Sequence, residues 1–290
     1  MTTDRQMTSD QPRTAGAPVT AGPPTTEPVL EIDGLNVDFR LDTTTVHAVR
    51  GVSLRLAQGE TLAVVGESGS GKTATALSVL RLNPQPPCVY AGGRILFEGR
   101  DLLTVPDKEL GRIRGSDIAM VFQDPMTSLD PLRRVGVQVA EVLRHHQGLS
   151  RAAARAAALE ALDEVGVPDP ERRFRQYPHE LSGGLRQRVM IAGALVGRPR
   201  VLIADEPTTA LDVTVQRQIL DLLVSLQQRH GMAVLLITHD LGVVAETADR
   251  VAVMHQGRVV ETGDVLDVFE RPADDYTRRL LAATPRLELA

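Results

Sequence analysis

The sequence predicts an α/β protein with a mostly parallel central sheet, an antiparallel β layer near its beginning and an inserted helical segment. Three observations predict this class. Short apolar runs alternate with helical patterns, as expected when crossover helices join parallel strands. Two adjacent runs near the beginning instead alternate apolar and polar positions, as antiparallel strands do. Between two of the apolar runs lies a long stretch whose pattern is helical throughout.

The chain opens with a predicted tail and a predicted hairpin. Residues 1–28 are rich in Pro, Thr, Ala and Gly and contain almost no large apolar residue, so they are expected to form a disordered tail. Order is expected to begin near Val29. Residues 30–40 and 46–56 alternate on either side of a polar turn, which indicates an antiparallel hairpin. The hairpin leads into residues 61–65, an apolar run that predicts a buried strand.

The middle of the chain predicts two strands and the helical insertion. Residues 94–98 have the pattern of a short strand ended by Gly99. Residues 118–122 form a nearly uninterrupted apolar run, as expected of a strand covered on both faces. The pattern is helical from residue 132 to about 175. Polar, proline-containing junctions at both ends favour a subdomain, although an extra layer of the same domain fits the same pattern.

The second half returns to alternating helices and strands. A helix is predicted at 184–196 and another at 213–229, and the apolar runs 201–204 and 233–237 predict buried strands. Two further strands and two short helical stretches complete the chain. Because buried strands alternate with crossover helices, the core sheet is expected to be mostly parallel, with helices on both faces.

The composition is that of a folded globular protein with no electrostatic signature of nucleic-acid binding. Hydrophobic residues make up 42%, charged residues 24%, and the net charge is −5. We expect no nucleic-acid partner. Cys88 is the only cysteine, which excludes an intrachain disulfide and a multi-cysteine metal site. Because no apolar run is long enough to span a bilayer and no signal peptide is evident, we expect a cytoplasmic protein that contacts membranes through other subunits.

The strongest motif is the pattern G-x-x-x-x-G-K-T at residues 66–73, between the strand 61–65 and a helix start. Glycines allow successive backbone N–H groups to point inward, and the helix adds its positive end, so the loop can hold a polyphosphate. Lys72 would neutralise β- and γ-phosphate oxygens and Thr73 would bind Mg²⁺. A glycine-rich turn with a surface lysine is the alternative. The loop residues expected to contact nucleotide are Gly66, Ser68, Gly69, Ser70, Gly71, Lys72 and Thr73.

A pair of carboxylates follows the apolar strand 201–204. Ligands of open α/β sheets lie beyond the carboxyl ends of the strands, so Asp205 is expected to bind Mg²⁺ directly or through water. Glu206 can then act as the general base that activates the attacking water. A solvated acidic pair is the alternative, and the phosphate loop in the same chain disfavours it.

A third motif, residues 181–187, places Ser182, Gly183 and Gly184 immediately before a helix. The serine hydroxyl, the exposed glycine backbone and the positive helix end could receive a second phosphate group. Ser182 could equally be an ordinary helix N-cap. The motif resembles the signature motif of the ATP-binding cassette (ABC) family. The chain thus contains two helix starts that could each receive phosphate. This suggests that two subunits face each other, with the nucleotide bound between them.

The other positions of the ABC family match in order. Gln123 matches the Q-loop glutamine, residues 210–212 match the D-loop, which ends at Asp212, and His239 matches the switch histidine. The resemblance implies that Gln123 joins the Mg²⁺ or water shell, that Asp212 belongs to the nucleotide site and that His239 hydrogen-bonds the γ-phosphate. Phe39 matches the aromatic residue that stacks on adenine, although a core phenylalanine fits the same strand pattern.

The resemblance covers residues 29–283 and implies a division of the chain. The ATP-binding core would comprise 29–125 and 182–263, interrupted by a helical subdomain at 126–181 that carries the signature motif at its end. Residues 264–290 would form a C-terminal helical tail.

Residues 66–73, 123–131 and the pair Tyr276-Thr277 are similar to the ATPase subunits of the dipeptide, oligopeptide and nickel import group. Two features differ from that group. Asp274-Asp275 stands where many members have His-Pro, and no cysteine follows Cys88, whereas many members carry a cysteine-rich C-terminal extension. These differences leave the identity of the transported solute undecided. Peptides are the first expectation, and nickel or another small solute is the alternative.

The implied function is the hydrolysis of MgATP at the interface of two ATPase subunits. The second subunit is expected to be a paralogous chain in preference to a second copy of this one. This ATPase pair would drive uptake through two integral membrane permeases at the cytoplasmic face of the membrane, with an extracytoplasmic solute-binding protein. A soluble ABC ATPase acting on DNA or the ribosome is the rival class. The interval between Gln123 and Ser182 is too short for the coiled coil of the chromosome-maintenance proteins, and a P-loop kinase would leave residues 181–187 unexplained.

Overall fold

The computed structural model describes residues 27–209 and 211–283, so nearly all of the predicted tail and the last seven residues lie outside the described part. The described chain forms two sheets. Their strands are β1 (Leu30–Arg40), β2 (Thr45–Leu56), β3 (Thr61–Val65), β4 (Cys88–Phe97), β5 (Arg100–Asp101), β6 (Ile118–Val121), β7 (Val201–Asp205), β8 (Ala233–Ile237), β9 (Arg250–His255) and β10 (Arg258–Asp264).

Helices connect these strands and cover the sheets. They are α1 (Lys72–Val79), α2 (Asp107–Ile113), α3 (Pro125–Ser128), α4 (Val135–Gln147), α5 (Arg151–Glu164), α6 (Pro170–Phe174), α7 (Gly183–Leu195), α8 (Val213–His230), α9 (Leu241–Thr247), α10 (Val265–Glu270) and α11 (Asp275–Ala283). Among the helices of residues 27–209 and 211–283, none combines the length and the apolar content needed to cross a bilayer.

The core sheet has six strands in the order β10-β9-β3-β8-β7-β6. All neighbours pair in parallel except β10, which returns antiparallel to β9. Every residue of β3, β7 and β8 is buried, as expected of parallel strands covered on both faces. This confirms the predicted fold class. Since the strands are parallel, the loops that follow β3, β6, β7 and β8 lie at one edge of the sheet.

The second sheet is antiparallel, in the order β2-β1-β4-β5, and contains the predicted hairpin of β1 and β2. The predicted strand at 94–98 is wrong at both ends, because β4 begins at Cys88 and ends at Phe97. Pairing with β1 extends β4 backwards across a glycine pair that weakens the strand pattern. Gly93 is required there: its φ is +89°, and a Cβ would lie 2.5 Å from the carbonyl of Gly34.

Side chains alternate between the two faces of the core sheet. Leu235 and Ile203 pack with the antiparallel sheet and α1, whereas Leu202 and Leu236 pack with α4, α5, α7 and α8. The predicted helical insertion is therefore present as a layer on the second face. Because it shares one apolar cluster with the sheet, the alternative of an added layer also fits its packing, and the boundaries at 126 and 181 remain a prediction.

Candidate active site

The loop after β3 passes close to two other strands. At Gly66, where φ is +146°, a Cβ would lie 2.1 Å from the carbonyl oxygen of Met254 on β9. At Gly71, where φ is +102°, a Cβ would lie 2.4 Å from the carbonyl oxygen of Ala48 on β2. Only glycine fits either position, because both the backbone conformation and the space exclude a side chain. These two approaches fix the ends of the loop before α1 begins.

Lys72, the first residue of α1, is buried under this loop. Its Nζ donates hydrogen bonds to the carbonyl oxygens of Gly66, at 2.7 Å, and Glu67, at 2.9 Å. Burial lowers the pKa of Lys72, while the nearby charges of Glu206 and Asp205 raise it. The ammonium group is thus held by two backbone oxygens of the loop. A bound phosphate group could replace these oxygens as a stronger, charged partner.

Asp205 ends β7 directly beside the phosphate loop. Its Oδ1 accepts a hydrogen bond of 3.2 Å from Thr73 Oγ1, and only 3% of the residue is exposed. Burial raises the pKa of Asp205, against the lowering effect of the Thr73 hydrogen bond. A buried carboxylate beside a hydroxyl is a donor set that suits Mg²⁺, which usually takes one or two carboxylates plus phosphate oxygens and water. Within the described residues no cluster of three or more His, Cys, Asp and Glu forms a separate metal site.

Glu206 lies in the left-handed region with a φ of +45°, and its N–H donates to the carbonyl oxygen of Ile237 at 2.9 Å. This conformation turns the side chain away from the strand direction and toward two of the predicted catalytic residues. Glu206 Oε2 accepts a hydrogen bond of 2.9 Å from Gln123 Nε2, and Oε1 lies 3.2 Å from His239 Nδ1. The structure therefore brings Gln123, Glu206 and His239 together, although they come from three different loops at the same sheet edge.

Two residues near the site were not predicted from the sequence. Thr209 Oγ1 donates a hydrogen bond of 2.9 Å to Glu206 Oε2, so the carboxylate has an additional fixed partner. Gln187 is buried in α7 and its Nε2 donates to the carbonyl oxygen of Pro207 at 2.5 Å, which joins the helix after Ser182 to the loop after Glu206. Thr209 follows the carboxylate pair closely in sequence, and this proximity is the signal that could have indicated it.

The second predicted phosphate receptor lies beside the start of α8. Ser182 caps α7 by accepting a 3.4 Å hydrogen bond from Leu185 N, and Asp212 caps α8 by accepting one of 2.9 Å from Val215 N. A Cβ at Gly184 would lie 2.8 Å from Val215 Cγ1, so the two helix starts touch. Both caps are exposed. In residues 27–209 and 211–283 no hydrogen bond joins either cap to the phosphate loop.

Phe39 lies on β1, where it pairs with Val46 and Cys88, and it packs partly buried against the apolar cluster of the antiparallel sheet. This packing accounts for the ring without a nucleotide. Its role in adenine stacking therefore stays a prediction, beside the alternative that Phe39 is a core residue.

The loop fits a polyphosphate on observations of its own. Ser70 Oγ is buried and has no hydrogen-bond partner among the described residues, while Ser68 and Gly69 are exposed at the open side of the loop. A buried hydroxyl without a partner is costly, and a bound phosphate oxygen would satisfy it. With Lys72 behind the loop and Asp205 beside it, fold and site together define an ATPase of the ATP-binding cassette class.

Comparison with known proteins agrees with this class. Residues 49–209 match the family model described as ABC transporter, so the chain belongs to the ABC transporter family. This confirms the resemblance found in the sequence. The chain is also similar to a solved ATP-binding cassette, a dimer in a post-hydrolysis state bound to ADP and Pi. That structure has a TM-score of 0.73 and 28% identity, over 81% of this chain and 98% of the other.

Curated relatives are closer in sequence. The peptidoglycan transport ATP-binding protein YejF of Agrobacterium fabrum is 55% identical over 91% of this chain and 48% of its own length. The oligopeptide transport ATP-binding protein OppD of Bacillus subtilis is 53% identical over 90% of this chain and 73% of its own length. The chain thus spans about half of the first relative and about three quarters of the second.

Proposed function

We propose that this chain is the ATPase subunit of an importer of peptides. The observation that carries the proposal is its 53% identity to the oligopeptide transport protein OppD, together with 52% identity to the dipeptide transport protein DppD of Bacillus subtilis. The site supports an active ATPase, because every predicted catalytic side chain lies in a connected arrangement. Import of nickel or another small solute, and an ABC ATPase without a transport role, are the alternatives, and no feature of the described residues favours them.

In this proposal Glu206 is the general base. Its carboxylate would accept the proton of the attacking water, while Gln123 and Thr209 keep it in place with hydrogen bonds to Oε2. His239 is 65% exposed at its side chain and lies at the Oε1 side, so it can turn toward the γ-phosphate without leaving the loop. Lys72 and the N–H groups of the loop would hold the phosphates.

Mg²⁺ would be held by Thr73, Asp205 and Gln123. The ion, when bound, would supply positive charge that neutralises the phosphate oxygens. The hydroxyl of Thr73 already faces Asp205 at 3.2 Å, so these two oxygen ligands require little rearrangement. Gln123 extends from the loop after β6, and its amide oxygen is available because its Nε2 is the atom that binds Glu206.

A second cassette would complete the site. The starts of α7 and α8 make no hydrogen bond to the phosphate loop within the described residues of this chain. Their residues would instead contact ATP held by the other subunit, and these are Ser182, Gly183, Gly184 and Asp212. The similar solved cassette is a dimer with ADP and Pi, which supports a paired arrangement. We propose a paralogous ATPase as the partner.

The assembly would further contain two integral membrane permeases and an extracytoplasmic solute-binding protein, with this chain on the cytoplasmic face of the membrane. Relatives of this chain are transport and import ATP-binding proteins, which supports such a complex.

Stimulation of ATP hydrolysis by peptide tests the proposed function. The chain is isolated with the membrane proteins that copurify with it and reconstituted in proteoliposomes with the solute-binding protein of the proposed complex. Short peptides are expected to raise the ATPase rate several-fold, and nickel is not. A matched complex carrying Glu206→Gln gives the background rate. Equal rates with and without peptide, or stimulation by nickel alone, contradict the assignment of peptides.

Phe39→Ala tests adenine stacking. If the ring stacks on the base, the Kd of the purified chain for ATP is expected to rise about 5-fold or more, because base–aromatic stacking contributes about 1–3 kcal/mol. Phe174→Ala on α6 is the control for lost packing, since Phe174 is buried in the apolar cluster of the helical layer and away from the phosphate loop. The Kd values are measured by titration calorimetry. Equal values for both variants would mean that Phe39 only packs in the core and does not stack on adenine.

A further inference from the structure

Tyr276, which the sequence marks only as part of a family resemblance, contacts the phosphate loop. It lies in the first turn of α11 and is 5% exposed. Its hydroxyl oxygen accepts a hydrogen bond of 3.1 Å from the backbone N–H of Glu67, the second residue of the loop. The two residues are 209 positions apart in sequence, so the end of the described chain closes onto its first functional motif.

The ring of Tyr276 is held on several sides. It stacks on the ring of His255 with centroids 3.9 Å apart, and it packs in the apolar cluster that contains Val65 and Val253. The backbone N–H of Tyr276 donates to Asp274 Oδ1 at 2.7 Å, which fixes the start of α11. A buried, stacked ring has little freedom, so the position of its hydroxyl is determined by the surrounding fold.

The turn before α11 is also anchored to the core sheet. The carboxylate of Glu261, on β10, accepts hydrogen bonds from Ala273 N at 2.7 Å and from Asp274 N at 3.1 Å. The turn between β9 and β10 also contacts the phosphate loop directly. In this turn the N–H of Gly257 donates a hydrogen bond of 2.9 Å to the carbonyl oxygen of Ser70. The loop is thus supported on one side by β9, β10 and α11 together.

Burial raises the pKa of Tyr276, and the hydrogen bond from Glu67 acts in the opposite direction. The phenol therefore stays neutral, and its oxygen remains an acceptor for the loop N–H. Glu67 is exposed as a residue, but its N–H takes part in a partly buried hydrogen bond to the Tyr276 hydroxyl. The hydrogen bond restricts the backbone at the entrance of the loop, directly after Gly66, whose own position is limited by its close approach to Met254.

We propose that Tyr276 is a positioning residue for the phosphate loop: its hydroxyl fixes the Glu67 N–H and thereby holds the loop ready for the phosphates of ATP. The inference rests on the proposed nucleotide binding of this site. A loop that is already ordered loses less conformational freedom on binding, so the hydroxyl contributes to affinity without touching the ligand. The C-terminal segment thereby becomes part of the nucleotide-binding machinery.

Tyr276→Phe tests the proposal, because it removes the hydroxyl and keeps the stacked ring. The Kd of the full chain for ATP is expected to rise about 3- to 10-fold, the effect of one hydrogen bond. In the assembled complex the KM for ATP is expected to rise to the same extent with kcat unchanged. Hydrogen exchange at the Glu67 amide is expected to accelerate. Tyr177→Phe, the same change on a ring of the helical layer, is the matched control.

A double-mutant cycle with Glu67→Pro separates this role from packing, since proline has no N–H to donate. On the Glu67→Pro background, Tyr276→Phe is expected to change the Kd by less than about 2-fold. An unchanged Kd in Tyr276→Phe, with or without a lower Tm, overturns the proposal, as does an undiminished effect of Tyr276→Phe in Glu67→Pro. Failure of the wild-type chain to bind ATP would instead overturn the proposed function.

Discussion

Replacing Glu206 with glutamine is expected to lower ATP turnover by about 10²- to 10⁴-fold, the usual contribution of a general base. The amide of Glu206→Gln has the size of the carboxylate and can still accept a hydrogen bond from Gln123 or Thr209, so the surrounding loops should keep their arrangement. It cannot accept the proton of the attacking water. Binding of ATP is therefore expected to remain close to that of the wild-type chain while hydrolysis is lost.

The measurement is a phosphate-release assay on the assembled complex beside ATP titration of the same preparation. Glu160→Gln is the matched control, because Glu160 is exposed on α5 in the helical layer and outside the site. Its turnover should equal that of the wild type. Turnover near normal in Glu206→Gln would mean that another group takes the proton. A parallel loss of ATP binding would mean that Glu206 supports the loop and not the reaction.

Replacing Lys72 with methionine is expected to weaken ATP binding by about 10- to 150-fold, because hydrogen bonds to charged groups contribute about 1.5–3 kcal/mol. Methionine keeps the apolar stem of the side chain and removes the ammonium group. The phosphates lose the ammonium group, which would exchange its contacts with the carbonyl oxygens of Gly66 and Glu67 for a stronger, charged contact with phosphate.

The chain supplies its own control for this change. Lys108 is the other lysine, and it is exposed on α2, so Lys108→Met makes the same chemical replacement on the surface. The Kd for ATP, measured by calorimetry, should be unchanged in Lys108→Met. Equal affinities of the wild type and Lys72→Met for ATP would show that Lys72 does not bind the phosphates, although it contacts the loop backbone.

Much of the fold follows from local pattern. β3, β7 and β8 are short apolar runs that each precede a helix, and runs of this kind are typical of parallel strands that are buried on both faces. Once the sheet is parallel, residues after separate strands must meet at one edge. The sheet edge by itself singled out only the pair Asp205-Glu206, whereas Gln123 and His239 were grouped with them through the family resemblance before any distance was known.

Long-range contacts of single atoms are not visible in such patterns. The hydrogen bond between Tyr276 and Glu67 depends on how α10 and α11 fold back onto β9, which no residue spacing specifies. The extent of β4 was likewise set by its pairing with β1, not by its own weak alternation. Gln187 appeared in the signature motif, but its link to Pro207 depends on the packing of α7 beside β7.

The left-handed backbone of Glu206 has a consequence for the stability of the protein. A residue other than glycine in this conformation costs on the order of 1 kcal/mol, and three side-chain contacts and one backbone hydrogen bond keep it there. A glycine at this position would release that strain and delete the carboxylate. The hydrogen bonds that hold the carboxylate for ATP hydrolysis therefore also offset the backbone strain, so the fold and the reaction depend on the same set of contacts at this one residue.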